Sequence, residues 1–300
     1  MASMSEDDLL TVISRHLPAS TATVPTGDDC AVLSPAGDVA ISTDILVEGV
    51  HFRTDWSSAE DVGWRCVMHN VADAAAMRAR PMSLVVAMVI PEGLATEWVE
   101  GFSKGLRQAC DHIADQTGPI AIDGGDMSRG PAIMAAGTVV GDMEGREPVL
   151  RSGARPGDLL IHTGNLGASA HGLALLEAGE TGSEADLFRR PVPPVALALS
   201  VPARAMMDVS DGLVRDARRM AAASGVSIAL DSDRVAAAAS PGASLHEALT
   251  GGEDHGFLAA LPPGDVPEGW SIVGSIHAGA GVTVDGADLG ELGGWDHFTA

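Results

Sequence analysis

Seven aspartates sit in short motifs built otherwise from glycine, serine, threonine and small apolar residues: Asp28 and Asp29 in Gly27-Asp28-Asp29, Asp44 in Ser42-Thr43-Asp44, Asp73 in Asn70-Val71-Ala72-Asp73, Asp126 in Gly124-Gly125-Asp126, and Asp208 with Asp211 in Asp208-Val209-Ser210-Asp211-Gly212. Carboxylates are hard oxygen ligands, and several brought together repel one another unless cations hold them. Glycine beside them lets a backbone or a phosphate approach closely. The chemistry expected of such a set is a Mg²⁺-phosphate site.

Each motif taken alone has a plainer reading. Gly27-Asp28-Asp29 is also an ordinary turn composition, and Ser42-Thr43-Asp44 reads equally as an Asx-turn at a strand end. Asp73 lies on an Ala-rich helical face with His69 one turn earlier, a spacing that suits metal binding or a solvated surface. Gly124-Gly125-Asp126 is either a phosphate-facing loop or a hairpin turn. Ser210 or Asp211 caps the following helix, or its free N–H groups face a phosphate. Gly251-Gly252-Glu253-Asp254-His255 places acids after paired glycine again. Gly164-Asn165-Leu166-Gly167 lacks the Lys-Ser/Thr of a Walker A loop, and there is no Gly-x-Ser-x-Gly elbow.

The elements that must position these residues follow from apolar spacing and breakers. Helical periodicity predicts a helix over 5–17, stopped by Pro18, a second opening at Ser58 with Asp61 in the capping-box place and ending before Pro81, and a third over 96–116. Strands are expected over 30–33, 39–43, 82–90, 120–122 and 132–140, with Gly124-Gly125-Asp126 delivered as a loop. Gly145, Pro148, Gly153, Pro156 and Gly157 cluster between two halves. The second half reads as strands over 159–163, 205–209, 226–230, 257–261 and 272–276, and helices through 173–178 and 211–224, with a short helix after the Pro-rich turn near 188–202. Two α+β domains, residues 1–145 and 146–300, are expected.

The bulk composition narrows the partners. The chain has 300 residues, with 18 basic against 41 acidic, a formal net charge of −23. Such a field disfavours nucleic acid and anionic membranes, so neither is expected as a partner, and an anionic substrate entering it calls for local cations. Cys30, Cys66 and Cys110 show no Cys-x-x-Cys spacing. That speaks against a zinc knuckle or disulfide scaffold, and for a reducing cytoplasm. The acidic start, Ser5-Glu6-Asp7-Asp8, has no basic n-region of a signal peptide, and no apolar run is long enough to span a bilayer.

The order of the motifs carries more than any one of them. Gly27-Asp28-Asp29-Cys30-Ala31-Val32-Leu33, Ser42-Thr43-Asp44, Val47-Glu48-Gly49-Val50-His51-Phe52 and Asn70-Val71-Ala72-Asp73-Ala74-Ala75-Ala76-Met77 resemble the thiamine-monophosphate kinase family. So do Gly124-Gly125-Asp126, Arg151-Ser152-Gly153-Ala154, Asp208-Val209-Ser210-Asp211-Gly212-Leu213, Gly251-Gly252-Glu253-Asp254 and the terminal Gly294-Trp295-Asp296-His297-Phe298. The wider superfamily is that of aminoimidazole-ribonucleotide synthetase and selenophosphate synthetase.

The resemblance implies a two-domain α+β fold, a homodimer paired through N-terminal-domain sheets, and transfer of the γ-phosphoryl group of ATP to thiamine monophosphate with Mg²⁺. It also implies residue roles. Asp29, Ser42, Thr43, Asp44, Asp73, Asp126, Asp208 and Asp211 would be metal ligands; Gly125, Asp126, Arg151 and Ser210 would contact ATP; and His51, Glu253 and Trp295 would contact the thiamine phosphate. No protein general base is expected. The chain departs from the family pattern at Ala72, Arg78, Met127-Ser128 and His255-Gly256, none of which removes an implied metal ligand. A different superfamily enzyme and a catalytically silent nucleotide binder are the rival expectations.

Overall fold

The computed structural model describes residues 6–27, 29–288 and 294. Asp28 and the terminal Trp295-Asp296-His297-Phe298 motif lie outside the described residues. The chain forms two compact units, Met1–Ala75 with Ala79–Arg146, and Ala76–Arg78 with Glu147–Ala300.

The first unit opens with helix α1 (Glu6–Ser14) and contains strand β1 (Val39–Val47), helix α2 (Ala59–Ala76), strand β2 (Arg80–Ile90), helix α3 (Thr96–Thr117), and strands β3 (Ala121–Arg129) and β4 (Met134–Asp142). The strands form one sheet in the order β1-β4-β2-β3, antiparallel except for the β2–β3 pair. α2 starts at the expected capping box: the Ser58 N–H donates to Asp61 Oδ2 at 2.9 Å, and the Asp61 N–H donates to Ser58 Oγ at 3.2 Å. α3 buries Val99, Phe102, Leu106, Ala109 and Ile113, an apolar stripe at helical spacing.

α2 lies close to the sheet because glycine replaces side chains where it crosses β4. A methyl at Gly137 would stand 2.4 Å from Asn70 Nδ2, and one at Gly141 3.3 Å from the Ala74 methyl and 2.7 Å from that of Ala79, just past the helix. The same device packs α2 on α3, where a methyl at Gly63 would meet the Phe102 carbonyl oxygen at 2.1 Å. β1 alternates along its length: Ser42, Asp44 and Leu46 face the helices, while Ile41, Thr43 and Ile45 are exposed. The sheet's other face is thus open and partly apolar, with Ile41 71% and Val85 41% accessible.

Two local expectations fail here. The strand expected over 30–33 is reduced to an isolated pairing of Val24 with Val32. Gly124-Gly125-Asp126 is not a loop: β3 runs straight through it, paired in parallel with Val85, Val86 and Ala87 of β2. Gly125 is needed for that pairing, since a methyl there would lie 2.1 Å from the Val86 carbonyl oxygen. The paired glycines looked like a turn because sequence shows their freedom and not the backbone that presses on them.

The second unit holds β5 (Leu159–Thr163), α4 (Ala168–Glu177), α5 (Ser183–Arg189), α6 (Val195–Ser200), β6 (Ala205–Val209), α7 (Leu213–Ser224), β7 (Ser227–Leu230), α8 (Ser232–Ala238), α9 (Leu245–Thr250), β8 (Gly256–Leu261), β9 (Ser271–His277), β10 (Gly281–Val284) and β11 (Ala287–Asp288). Its sheet runs β11-β10-β7-β9-β5-β8-β6. Leu160, Met207, Val209, Leu258 and Val273 from the strands close a core with Leu213, Val214, Ala217 and Met220 of α7. Short elements escaped the sequence reading. α9 has a capping box, Ser244 with Glu247, but only six residues to show a period. Among the described residues no helix is long and apolar enough to cross a membrane.

Candidate functional site

In the first unit, the contact of α2 with β1 gathers oxygen donors. Ser42 Oγ–H donates to Asp73 Oδ2 at 2.6 Å, so the strand and the helix are joined at two of the expected ligands. Asp44, two residues along β1 on the same face, has its Oδ2 3.5 Å from His69 Nδ1. Asp73 is half-buried and His69 is buried, so neither is the simply solvated helix surface that an Ala-rich face allows. Burial of the Cys66 thiol, with Asp44 adding to it, pushes its pKa up to about 12 and leaves it an inert packing group.

Thr43 departs from this set. Its side chain is on the open face, where Oγ1–H donates to the Gly137 carbonyl at 2.8 Å and accepts from Thr138 Oγ1 at 3.0 Å. Asp126 is exposed and pairs with Ala87 at the far edge of the sheet. Three strand spacings separate β1 from β3, about 14 Å. The expected N-terminal ligands therefore divide: Ser42, Asp44 and Asp73 cluster under α2, and Thr43 and Asp126 lie apart from them. Asp29 lies in the exposed loop that leads to Val32.

The loop after β1 carries His51, whose Nδ1 accepts from the Val47 N–H at 3.0 Å. With Nδ1 occupied as an acceptor, Nε2 carries the hydrogen of the neutral ring. Glu48 braces this loop, accepting from Thr54 Oγ1 at 3.0 Å and from the Ile133 N–H at 3.2 Å. Behind it Arg65 is wholly buried, and its Nη1–H donates to the His51 carbonyl at 2.6 Å. Arg65 escaped the sequence reading, although a cation within an apolar helical stripe is a signal of its own.

A cavity of about 670 Å³ opens in the same unit between α1, α3 and the sheet, lined by Leu10, Ile13, Phe102 and Met88, with Gly125 and Asp126 at its wall. β3 is held beside it by Asp123, a buried carboxylate that accepts from Ser83 Oγ at 2.6 Å and also from Ser20 Oγ.

In the second unit, Asp208 is the penultimate residue of β6 and is buried beside His255, whose Nδ1 lies 3.6 Å from its Oδ2. Asp211 is held by Arg219, Nη2 to Oδ2 2.5 Å, and Arg219 Nη1 also reaches the fully buried Asp216 at 2.6 Å. Burial and the nearby Asp208 carboxylate push Asp216 up to about 7. Neither Ser210 nor Asp211 caps α7; its N-cap is Gly212, and the Asp211 N–H turns to Asp216 Oδ2 at 3.1 Å. The Ser210 carbonyl accepts from the Glu253 N–H at 2.7 Å, which fixes one motif against the other. Glu253 and His255 both adopt left-handed backbone, φ 67° and 51°, a conformation that costs non-glycine residues about 1 kcal/mol or more each. Asp254 between them holds the turn into α4, accepting from the Ser169 N–H at 2.7 Å and the Gly167 N–H at 2.5 Å. Arg151 is exposed, and its carbonyl accepts from Ser224 Oγ at 3.1 Å. Trp295 lies outside the described residues.

Ser42, Asp44 and Asp73 supply hydroxyl and carboxylate oxygen only, which is the donor chemistry of a hard divalent cation such as Mg²⁺ and not of a soft metal. The half-buried Asp73 and 39%-exposed Asp44 side chains still leave room for water or phosphate oxygen to complete a shell.

The chain is similar to known proteins along most of its length. Residues 27–143 match the N-terminal domain, and residues 155–284 the C-terminal domain, of AIR synthase related proteins. A thiamine-monophosphate kinase of Mycobacterium tuberculosis is 40% identical, over 96% of this chain and 89% of its own. That of Halobacterium salinarum is 37% identical, over 90% and 94%. Among solved structures, AaThiL complexed with AMPPCP and TMP superposes with a TM-score of 0.79 at 30% identity, covering 99% of this chain and 100% of that one. The thiamine-monophosphate kinase of Stenotrophomonas maltophilia K279a follows at 0.78 and 30%, covering 96% and 99%. With relatives of this identity matched along nearly their whole length, the chain belongs to the thiamine-monophosphate kinase family of two-domain AIR synthase related proteins.

Proposed function

We propose that this protein transfers the γ-phosphoryl group of ATP to thiamine monophosphate, giving thiamine diphosphate and ADP. The observation that carries the reading is the Ser42–Asp73 hydrogen bond under α2, with Asp44 on the same face of β1, in a chain 40% identical to a thiamine-monophosphate kinase. A structural relative, AaThiL, is complexed with AMPPCP and TMP.

The acceptor is a phosphate whose second ionisation lies near pH 6, about −1.5 to −2 in charge at neutrality, so it attacks without a protein base. What the protein must supply is alignment and charge neutralisation for a loose transition state. Ser42, Asp44 and Asp73 would hold Mg²⁺, with Asp126, Asp208, Asp211 and Asp29 as further ligands of additional ions. The ions held by these oxygens would supply positive charge against the phosphate oxygens and the leaving group. The hydroxyl of Thr43, on the open face, is assigned no ion shared with Asp44. Gly125, Arg151 and Ser210 are proposed to meet the nucleotide, and His51, Glu253 and Trp295 the thiamine phosphate. His51 is suited to this by its Nε2–H, since Nδ1 accepts from the Val47 N–H and Nε2 is then the ring's donor.

The same reading includes a homodimer in the cytoplasm, paired through the open face of the first unit's sheet. Ile41 and Ile45 on β1, and Val85 on β2 across the intervening β4, are exposed apolar side chains on that face, surface that water disfavours. The experiment that tests the function is an ADP-release assay on the purified chain with ATP, Mg²⁺ and a panel of phosphorylated acceptors. Thiamine monophosphate alone should drive turnover; a preferred response to another acceptor, or none to this one, overturns the assignment.

A further inference from the structure

We infer that Arg65 and His69 are positioning residues, a buried pair that holds the Asp44 carboxylate on one side and the His51 loop on the other. The inference rests on the proposed metal role of Asp44.

Arg65 and His69 lie one helical turn apart on α2, at 0% and 3% exposure. A guanidinium buried this completely must spend its donors on protein acceptors. Arg65 Nη1–H donates to the His51 carbonyl at 2.6 Å, and Nε–H points at His69 Nε2 at 3.4 Å. Guanidinium stays charged and has no lone pair to offer. His69 Nε2 must therefore be the unprotonated nitrogen of a neutral ring. The hydrogen then sits on Nδ1, the nitrogen 3.5 Å from Asp44 Oδ2. Arg65 thus selects the tautomer of His69, and the tautomer presents a donor to a carboxylate that stands two residues from Ser42 on the same strand face. One buried cation acts on an expected metal ligand and an expected substrate contact: Asp44 through the ring, and His51 through its backbone.

Neighbours of this kind orient a ligand and raise its affinity for a cation, and their loss typically weakens metal binding about 10–100-fold. A group that only fills space does not. The distinction is measurable because asparagine places its Nδ2 where histidine has Nδ1, while leucine fills similar volume without a donor.

The test is a Mn²⁺ titration of the full-length protein without nucleotide, followed by the EPR signal of free Mn²⁺, on wild type, Asp44→Asn, His69→Leu, His69→Asn and Arg65→Lys, with folding checked by circular dichroism. We expect His69→Leu to weaken Mn²⁺ binding about 10–100-fold and His69→Asn to recover most of it. Arg65→Lys keeps a cation but loses the fork that reaches both His69 and His51. It should weaken Mn²⁺ binding and also raise KM for the phosphorylated acceptor more than it lowers kcat, and it carries the test if His69→Leu does not fold. Wild-type Mn²⁺ affinity in folded His69→Leu or Arg65→Lys, with Asp44→Asn impaired, overturns the inference while sparing the metal site. Equal impairment in His69→Leu and His69→Asn assigns the residue to shape and also overturns it. Unchanged binding in Asp44→Asn removes the metal site itself, and the inference with it.

Discussion

Gly137→Ala tests whether close packing of α2 on the sheet sets the candidate metal site. Gly137 pairs directly with Asp44 across β1 and β4, and an added methyl would stand 2.4 Å from Asn70 Nδ2 and 3.3 Å from the Cys66 carbonyl oxygen. Comfortable contact begins at about 3.5 Å, so the shortfall is roughly 1 Å. The structure can respond in two ways. α2 can back away, which overpacked cores do at about 1–3 kcal/mol. Alternatively Asn70, 1% exposed, can swing and give up its 2.8 Å bond to the Cys66 carbonyl. A buried amide left without that partner also costs about 1–3 kcal/mol. The expected loss of stability is therefore about 1–3 kcal/mol by either route. A retreat of α2 carries Asp73 away from its 2.6 Å contact with Ser42, and a displacement of this order can lower turnover about 100-fold. Urea unfolding and steady-state turnover measure the two effects. Asn70→Ala should relieve the clash, so Gly137→Ala with Asn70→Ala should show a coupling of about 0.5–3 kcal/mol in favour of the double mutant. A Gly137→Ala protein as stable and as active as wild type, or strictly additive double-mutant energies, would refute the packing argument.

Other expectations follow from the same structure. Asp126→Asn, on an exposed strand-edge position, should lower turnover by orders of magnitude and leave the circular dichroism spectrum unchanged; near-normal turnover counts against a role for Asp126. His162 is buried on β5, and burial holds its pKa down to about 4 from an ordinary 6.5. The unfolded chain therefore binds a proton that the folded chain refuses between these values, so this residue's contribution falls as pH drops from 6.5 to 4, by up to about 3 kcal/mol. Burial pushes Asp254 the other way, up to about 7, so its contribution falls as pH rises from 4 to 7. The difference in unfolding free energy between wild type and His162→Phe, at pH 7 and pH 4.5, isolates the histidine; a pH-independent difference refutes the assignment. Cys30 is exposed, whereas burial raises the thiol pKa of Cys66 and Cys110. Ellman's reagent should titrate one thiol in the native protein and three in denaturant, and rapid reaction of a second native thiol contradicts the packing.

Much of the fold was legible in the chain. Long apolar periods and a Ser58/Asp61 box located α2, and Thr96–Thr117 carried its stripe without ambiguity. Strands 159–163 and 205–209 stand where alternating or continuous apolar runs between breakers put them. What failed were short or two-sided elements. The chain through Gly124, Gly125 and Asp126 gives no period, because glycine pairing there is decided by the neighbouring Val86 backbone. α8, α9, β10 and β11 have at most seven residues each, too few to establish a repeat.

The site divides along the same line. Sequence alone determined which residue types are available, the acids and hydroxyls, since ligand chemistry is a property of the side chain. It also determined the family, because the order of motifs survives along the chain. Which of them meet was decided only by tertiary packing. Ser42 and Asp73, 31 positions apart, are joined because glycine at 137 and 141 lets α2 descend onto β1 and β4. Thr43 is turned to the opposite face by the two-residue period of the strand. The buried Arg65 and its histidine neighbour were invisible as partners of Asp44 because a charge's role depends on what surrounds it in space, and only the folded chain sets those surroundings.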